Sequence, residues 1–96
     1  MSVPRGFQQI ASATLASSTA LTIPTGIDGQ KPEFAIAHTD TQAVRWRDDG
    51  TAPTAAIGMR LLPGGELFIE GAMLNAIRFI YETAGANLNV SYYRYA

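Results

Sequence analysis

The sequence of 96 residues contains no cysteine, a single lysine and a single histidine. Without cysteine the chain has neither a disulfide nor a thiolate metal site, so packing or assembly must supply its stability. Charged residues make up only 16% of the chain, against roughly 25% in typical domains. Alanine, threonine and serine take their place, and a surface of that kind suits burial against neighbouring subunits.

The scarcity of charge also argues against several kinds of partner. The net charge is −1 and the arginines form no basic stripe, so no binding to nucleic acid is expected. No apolar run reaches the roughly 18 residues of a membrane-spanning helix, so no membrane partner is expected either. Nucleophile motifs, phosphate-binding glycine loops and a second histidine are all missing from the sequence. We therefore expect no enzyme, no cofactor and no metal site.

Short apolar runs alternate with turn residues along the whole chain, a pattern typical of an all-β sandwich or barrel. We predict a single small antiparallel β-sandwich or jelly-roll-like barrel of about eight strands. Pro4 and Gly6 indicate an N-terminal arm over residues 1–6, and the β-sandwich domain is predicted to span 7–96. The strands are predicted at residues 7–16, 20–23, 33–38, 42–47, 58–62, 66–70, 74–82 and 87–95.

The segment 74–82 allows two interpretations. A period of two residues places Ile77 and Phe79 on one face of a strand. A helical period of about 3.6 residues would instead align Met73 with Ile77 in an apolar stripe. Because β-branched and aromatic residues dominate the segment, a strand is favoured.

The more apolar face of each strand predicts the core of the sandwich. In the fourth strand this face carries Val44 and Trp46, at least one of which should be buried. The other residues predicted to be buried are Phe34, Ile36, Ile77, Phe79, Leu88 and Val90.

Three titratable side chains raise the question of a chemical site. A metal site needs three or four ligands, so the single His38 is interpreted as a structural, hydrogen-bonded residue. Asp48 and Asp49 could bind calcium or share a proton, as paired carboxylates do elsewhere. Yet adjacent strand residues point apart and Gly50 follows, so capping of a turn is the favoured role.

Arginine and tyrosine residues on the polar strand faces are candidates for contact with a partner. In the fourth strand, Arg45 and Arg47 alternate with Val44 and Trp46. Two interpretations stay open: these arginines pair with carboxylates of the same chain, or they contact a neighbouring subunit. An anionic ligand site is a third, less favoured alternative. The residues predicted to form a subunit interface are Arg45, Arg47, Arg78, Tyr93 and Tyr95.

A resemblance to small structural virion proteins of tailed bacteriophages rests on three stretches. These are the Ser/Ala/Thr-rich ASATLASSTALTIP (11–24), VRWRDDGTAPTAAIGMRL (44–61) and AIRFIYETAGANLNVSYYRY (76–95). Chains of that group carry similar R-W-R-D-D-G-T, G-M-x-L, A-x-R-F-I and L-N-V-S-Y-Y elements. The resemblance covers most of residues 7–95 and brings no catalytic residue with it.

The resemblance implies a decoration or cement protein that binds the capsid head and stabilises it through subunit interfaces. Its location would be the virion, after assembly in the cytoplasm of a bacterial host. Its partners would be the major capsid protein or other virion proteins, and its copies would form a homo-oligomer, with a trimer favoured. A head–tail connector or tail-accessory protein is one alternative. The other is a carbohydrate-binding module on a tail fibre, in which exposed tyrosines and Trp46 would stack on sugars.

Overall fold

The computed structural model describes residues 2–25 and 31–95, which form eight strands and two single-turn helices. Strands hold 48% of these residues and helices 9%, so the predicted all-β class is confirmed. The strands are β1 (Ser2–Ile10), β2 (Thr19–Ala20), β3 (Phe34–Asp40), β4 (Val44–Arg47), β5 (Met59–Leu61), β6 (Glu66–Glu70), β7 (Arg78–Tyr81) and β8 (Asn87–Tyr95). The helices are α1 (Ser12–Leu15) and α2 (Met73–Ala76). Neither of these helices has the length and apolar character needed to cross a bilayer.

The strands build two four-stranded antiparallel sheets. Sheet A has the strand order β1-β8-β3-β6, and sheet B has the order β2-β7-β4-β5. The chain crosses repeatedly between them: β3 lies in sheet A, β4 and β5 lie in sheet B, and β6 returns to sheet A. These crossings produce two layers with a shared core, which is the small β-sandwich predicted from the sequence.

The core lies between the two sheets. On sheet A it is built from alternate residues of β8, namely Leu88, Val90 and Tyr92, each with no solvent exposure. Phe79 and Val44 are equally buried and belong to sheet B. All five side chains belong to one apolar cluster. The predicted burial is therefore confirmed for Val44, Phe79, Leu88 and Val90, and for Ile77 as well.

For β3 the predicted burial is confirmed for Phe34, which is 6% exposed, but Ile36 is only half-buried, and neither residue belongs to the cluster between the sheets. The inner face of β3 carries Ala35 and Ala37, and both are fully buried in the core cluster. Phe34 and Ile36 alternate with them and so lie on the outer face of sheet A. The physical reason is space: Ala35 is the register partner of Tyr92, whose ring fills the layer between the sheets. A small side chain beside that ring keeps the interior densely packed without overlap.

Two predicted strands are partly replaced by a helical turn. The strand predicted at 74–82 is confirmed only over β7, because α2 precedes it and Ile77 N donates to Met73 O across 2.9 Å. The strand predicted at 7–16 ends at Ile10, and α1 follows. Each turn places one leucine, Leu15 or Leu74, in the core cluster. Burial of these leucines favours the turn over a continued strand.

Residues 2–6, within the segment predicted as an N-terminal arm, belong to β1 and pair with the end of β8. The register of this pairing shifts between Pro4 and Gly6. Gly6 has a φ of +151°, and a Cβ atom there would lie 3.1 Å from Pro24 Cγ. The positive φ and the close approach of Pro24 both favour glycine at this position. Sheet A therefore extends through this segment, and β1 forms one of its edges.

Candidate functional site

The outer face of sheet A is rich in aromatic rings. Strand alternation brings Phe34 of β3, Tyr93 and Tyr95 of β8, and Phe68 of β6 to this side of the sheet. Phe7 of β1 joins them, because it is the register partner of a β8 residue on the same face. We call this surface the aromatic face and define it by these five residues.

The rings pack against one another around Phe34. The centroid of the Phe34 ring lies 5.1 Å from that of Phe68, 5.2 Å from that of Tyr93 and 4.8 Å from that of Tyr95. These neighbours leave Phe34 only 6% exposed, although it is outside the core between the sheets. By contrast Phe7 is 67% exposed, Phe68 52% and Tyr95 48%. The centre of the aromatic face is therefore packed, and its periphery is open to solvent.

A shallow groove of about 260 Å³ crosses the same surface. One row of register partners runs through it from Phe7 to Ile36 by way of Ser91. The residues that line the groove are Phe7, Ile36, His38, Glu66, Asn89, Ser91 and Tyr93. Its floor thus combines aromatic and aliphatic groups with amide, hydroxyl, imidazole and carboxylate groups.

A polar row borders the groove. Gln9 Nε2 donates to Asn89 Oδ1 across 3.0 Å, and Asn89 Nδ2 donates to Asp40 Oδ2 across 2.9 Å. His38 Nε2 lies 3.4 Å from Asp40 Oδ1, and its other ring nitrogen lies 3.5 Å from Asn89 Nδ2. These contacts hold His38 among side chains of its own sheet. Nowhere in the described part of the chain do three His, Cys, Asp or Glu residues group as metal ligands would.

Carboxylates border the aromatic face. The Tyr95 hydroxyl donates to Glu70 Oε2, which raises the pKa of the tyrosine, and Tyr95 N donates to Glu33 Oε1 across 2.8 Å. These bonds fix a ring that is half exposed. The strand pairing places Asp40, Glu66 and Glu70 on this face of the sheet. The paired residues of β3, β6 and β8 on the same face include no arginine or lysine. Along β3, β6 and β8 the face is therefore apolar at its centre and negative at its edge.

The outer face of sheet B carries arginines. Arg45 is paired in register with Arg60 on one side and with Ile80 on the other, and Arg47 is paired with Arg78. All of them alternate with inward-facing residues of their strands. We call this surface the arginine face and define it by Arg45, Arg47, Arg60 and Arg78.

Two of these arginines bind one carboxylate. Arg60 Nε lies 2.6 Å from Glu82 Oε2, and Arg45 Nε lies 2.7 Å from the same oxygen. Arg60 also donates through Nη2 to Glu82 Oε1 across 2.9 Å. The hydrogen bond from Arg60, aided by the charge of Arg45, holds the pKa of Glu82 below its usual range despite desolvation. Arg45 Nη1 in addition donates to Gly58 O across 2.9 Å.

Arg47 and Arg78 differ in their surroundings. Arg47 Nε donates to Asp49 Oδ1 across 3.1 Å, and this bond lowers the pKa of Asp49. Asp49 also accepts from Thr51 N across 3.3 Å, so the predicted turn-capping role is confirmed for it, while Asp48 is exposed. Arg78 is exposed and forms no ion pair with any carboxylate in residues 2–25 and 31–95.

The five residues predicted to form an interface fall on two surfaces. Arg45, Arg47 and Arg78 lie on the outer face of sheet B, whereas Tyr93 and Tyr95 lie on the outer face of sheet A. Since the core separates the sheets, these two groups point in opposite directions. The predicted pairing of arginines with carboxylates of the same chain holds for Arg45 and Arg47.

Sequence reasoning missed Phe7, Phe68 and Arg60 as surface candidates. The signal for Phe68 was present, because it alternates in β6 with Leu67 and with the buried Ile69. Phe7 and Ile10 lie three residues apart in one continuous register, so they point to opposite faces, and hydropathy alone does not say which of these two apolar residues faces the core.

In comparisons with known proteins, no family model, no curated protein and no solved structure matches this chain.

Proposed function

We propose that the protein is a non-enzymatic structural subunit of a phage virion, a decoration or cement protein that stabilises the head by contact between subunits. The observation that carries this proposal is the aromatic face, where Phe7, Phe68 and Tyr95 stand open to solvent. Aromatic anchors surrounded by polar groups are typical of protein interfaces. The low charge of the chain and its resemblance to virion proteins support the same conclusion.

The free energy gained by covering the exposed rings favours a role in which many copies bind side by side on one particle. Complete burial of one phenylalanine side chain is worth about 1.5–3 kcal/mol. Covering the three open rings therefore offers on the order of 3–5 kcal/mol. Association itself costs about 4–15 kcal/mol, so one such contact binds weakly. Many copies on a symmetric shell would raise the overall affinity by multivalency.

The first test asks whether the aromatic face is needed for incorporation into particles. We expect Phe68→Ser to lower the number of copies per particle about tenfold at limiting protein, because it removes an open anchor without touching the core. The matched control is Met59→Ser, which removes an exposed apolar side chain at the edge of sheet B, 61% exposed against 52% for Phe68. It should leave incorporation unchanged. Quantitative mass spectrometry of purified particles gives the copy number.

Localisation of the chain in the map of an intact particle tests whether it lies on the head surface, as proposed. Density for the chain on the head surface supports a decoration role. Density at the neck or on the tail would replace that role by the head–tail connector or tail-accessory alternative. A chain absent from purified particles would overturn the structural proposal.

The groove favours carbohydrate binding as a second candidate function. It combines Phe7 and Tyr93 rings with the polar groups of Asn89 and Ser91, a set that suits stacking and hydrogen bonding to a sugar. Trp46 is not part of this surface, because it belongs to sheet B and packs against the core cluster. Titration with neutral oligosaccharides, followed by amide chemical shifts, would reveal binding in wild type and its loss in Tyr93→Ala.

A further inference from the structure

We propose that the partner of the aromatic face is the arginine face of a second copy of this chain, so that copies associate head to tail. This inference rests on the proposed function, since it names the neighbour that the aromatic face contacts.

The two faces are complementary in charge. The aromatic face is bordered by Asp40, Glu66 and Glu70, and the β3, β6 and β8 register positions on that side hold no arginine or lysine. The arginine face carries four arginines, while Glu82 and Asp49 are the carboxylates that pair with them. Along β3, β6 and β8 the aromatic face is thus negative, and the arginine face is positive. A contact between two aromatic faces would instead bring like charges together, which is unfavourable.

The side chains also match in type. A guanidinium group stacks on aromatic rings and offers a planar fork to a carboxylate. Arg78 is exposed and pairs with no carboxylate in the described residues, so both modes are open to it. On the opposite face, Phe68 is half exposed and lies in the same strand as the carboxylates Glu66 and Glu70. An arginine that docks there meets a ring and an anion at adjacent positions.

The position of the two faces determines the kind of assembly. Because they lie on opposite sides of the sandwich, a contact between them is heterologous and each copy uses both faces. Such contacts add copies in a row or in a large ring, in contrast to the trimer that the resemblance implies. The exposed surface of one copy is 5220 Å². Two interfaces of about 800 Å² each would cover about a third of it.

The test uses two variants of the whole chain, and each variant carries one substitution that should weaken binding through one of the two faces. Arg78→Glu alters the arginine face at a residue that has no ion pair within residues 2–25 and 31–95, and Phe68→Lys alters the aromatic face outside the core. At high protein concentration wild type should form species larger than a dimer in sedimentation velocity, and added salt should weaken this association. We expect each variant alone to associate at least about tenfold more weakly. An equimolar mixture should form a dimer that does not grow, since one intact face of each kind remains.

Other results would overturn the inference. If Arg78→Glu associates like wild type while Phe68→Lys does not, the contact is between two aromatic faces. If both variants associate like wild type, another surface is used. If wild type stays monomeric at the highest soluble concentration, head-to-tail association is wrong, while the incorporation of Phe68→Ser into particles still tests the proposed function separately. Circular dichroism checks that each variant folds, and Glu66→Arg replaces Phe68→Lys if that variant does not.

Discussion

At the scale of single residues, Phe34 and Phe79 show that burial has two different origins here. Phe79 is buried between the sheets, where both layers of the sandwich surround it. Phe34 is buried on an outer face, where the rings of Phe68, Tyr93 and Tyr95 pack against it. Similar solvent exposure therefore accompanies different roles: Phe79 stabilises the fold, and Phe34 supports the rings of the aromatic face.

Truncation of one inner and one outer phenylalanine should separate these roles. We expect Phe79→Ala to lower the free energy of unfolding by about 3–5 kcal/mol, because it leaves a cavity in the core. Phe68→Ala should cost less than about 1 kcal/mol, because its ring is half exposed. Urea unfolding followed by circular dichroism measures both. Equal losses in the two variants would contradict the assignment of inner and outer faces.

Tyr92 is the largest fully buried side chain of the core. Its hydroxyl donates to Gln8 Oε1 across 2.8 Å, and desolvation raises its pKa from 10.0 to about 12. In the folded chain it therefore keeps its proton at pH values where the unfolded chain loses it. Below the ordinary pKa of 10.0 the full stability is present, and it falls as the pH rises toward about 12.

We expect the free energy of unfolding of wild type to decrease above pH 10.0 by about 1.4 kcal/mol per pH unit from this residue. Tyr92→Phe should lack this part of the decrease, and at neutral pH it should cost about 1 kcal/mol for the lost hydrogen bond. Urea unfolding of both proteins from neutral to alkaline pH makes the comparison. An alkaline slope that is the same in both would show that Tyr92 does not titrate as described.

At the scale of strands, Glu82 links three strands of sheet B through ion pairs. It follows β7, and its carboxylate binds Arg45 of β4 and Arg60 of the edge strand β5. β5 is only three residues long and has a ladder on one side alone. The two ion pairs therefore reinforce the short backbone pairing that holds this edge.

Acid should weaken this edge of sheet B. Because the pKa of Glu82 is lowered in the folded chain, its contribution to stability is present above the ordinary pKa of 4.5 and is lost as the pH falls through the lowered value. Glu82→Gln should be less stable than wild type at neutral pH, and the difference should shrink in acid. Urea unfolding across this range gives the difference. Glu66→Gln removes the charge of an exposed carboxylate of sheet A that has no ion pair among the described residues, so it is the control and should be about as stable as wild type at neutral pH.

At the scale of the whole molecule, the two outer surfaces of the sandwich differ in chemistry. One presents aromatic rings with carboxylates at the edge, and the other presents arginines. A chain with such opposite faces is suited to repeated contacts with its own copies, because each surface offers what the other lacks. The proposed head-to-tail contact depends on this asymmetry, whereas the proposed virion role depends on the aromatic face.

The sequence by itself determined the class of fold and the positions of most strands. Alternation over 66–70 and 87–95 predicts β6 and β8 with their observed bounds, because a period of two residues is a local property. It also indicated that Arg45 and Arg47 point away from Val44, as the register confirms. The partner of Arg45 could not be chosen, since Glu82 is distant from it in sequence, whereas Arg47 pairs with Asp49 only two residues away.

Only the tertiary structure decided which face of β3 points inward. Phe34 and Ile36 are the more apolar residues of that strand, yet alanines face the core, because Ala35 must fit beside Tyr92 from a neighbouring strand. The same pairing places Phe34 on the outer face, where its ring packs against those of Phe68, Tyr93 and Tyr95 in the aromatic face. The space available between strands that are distant in sequence decides which face of β3 points inward, and local hydropathy does not predict it.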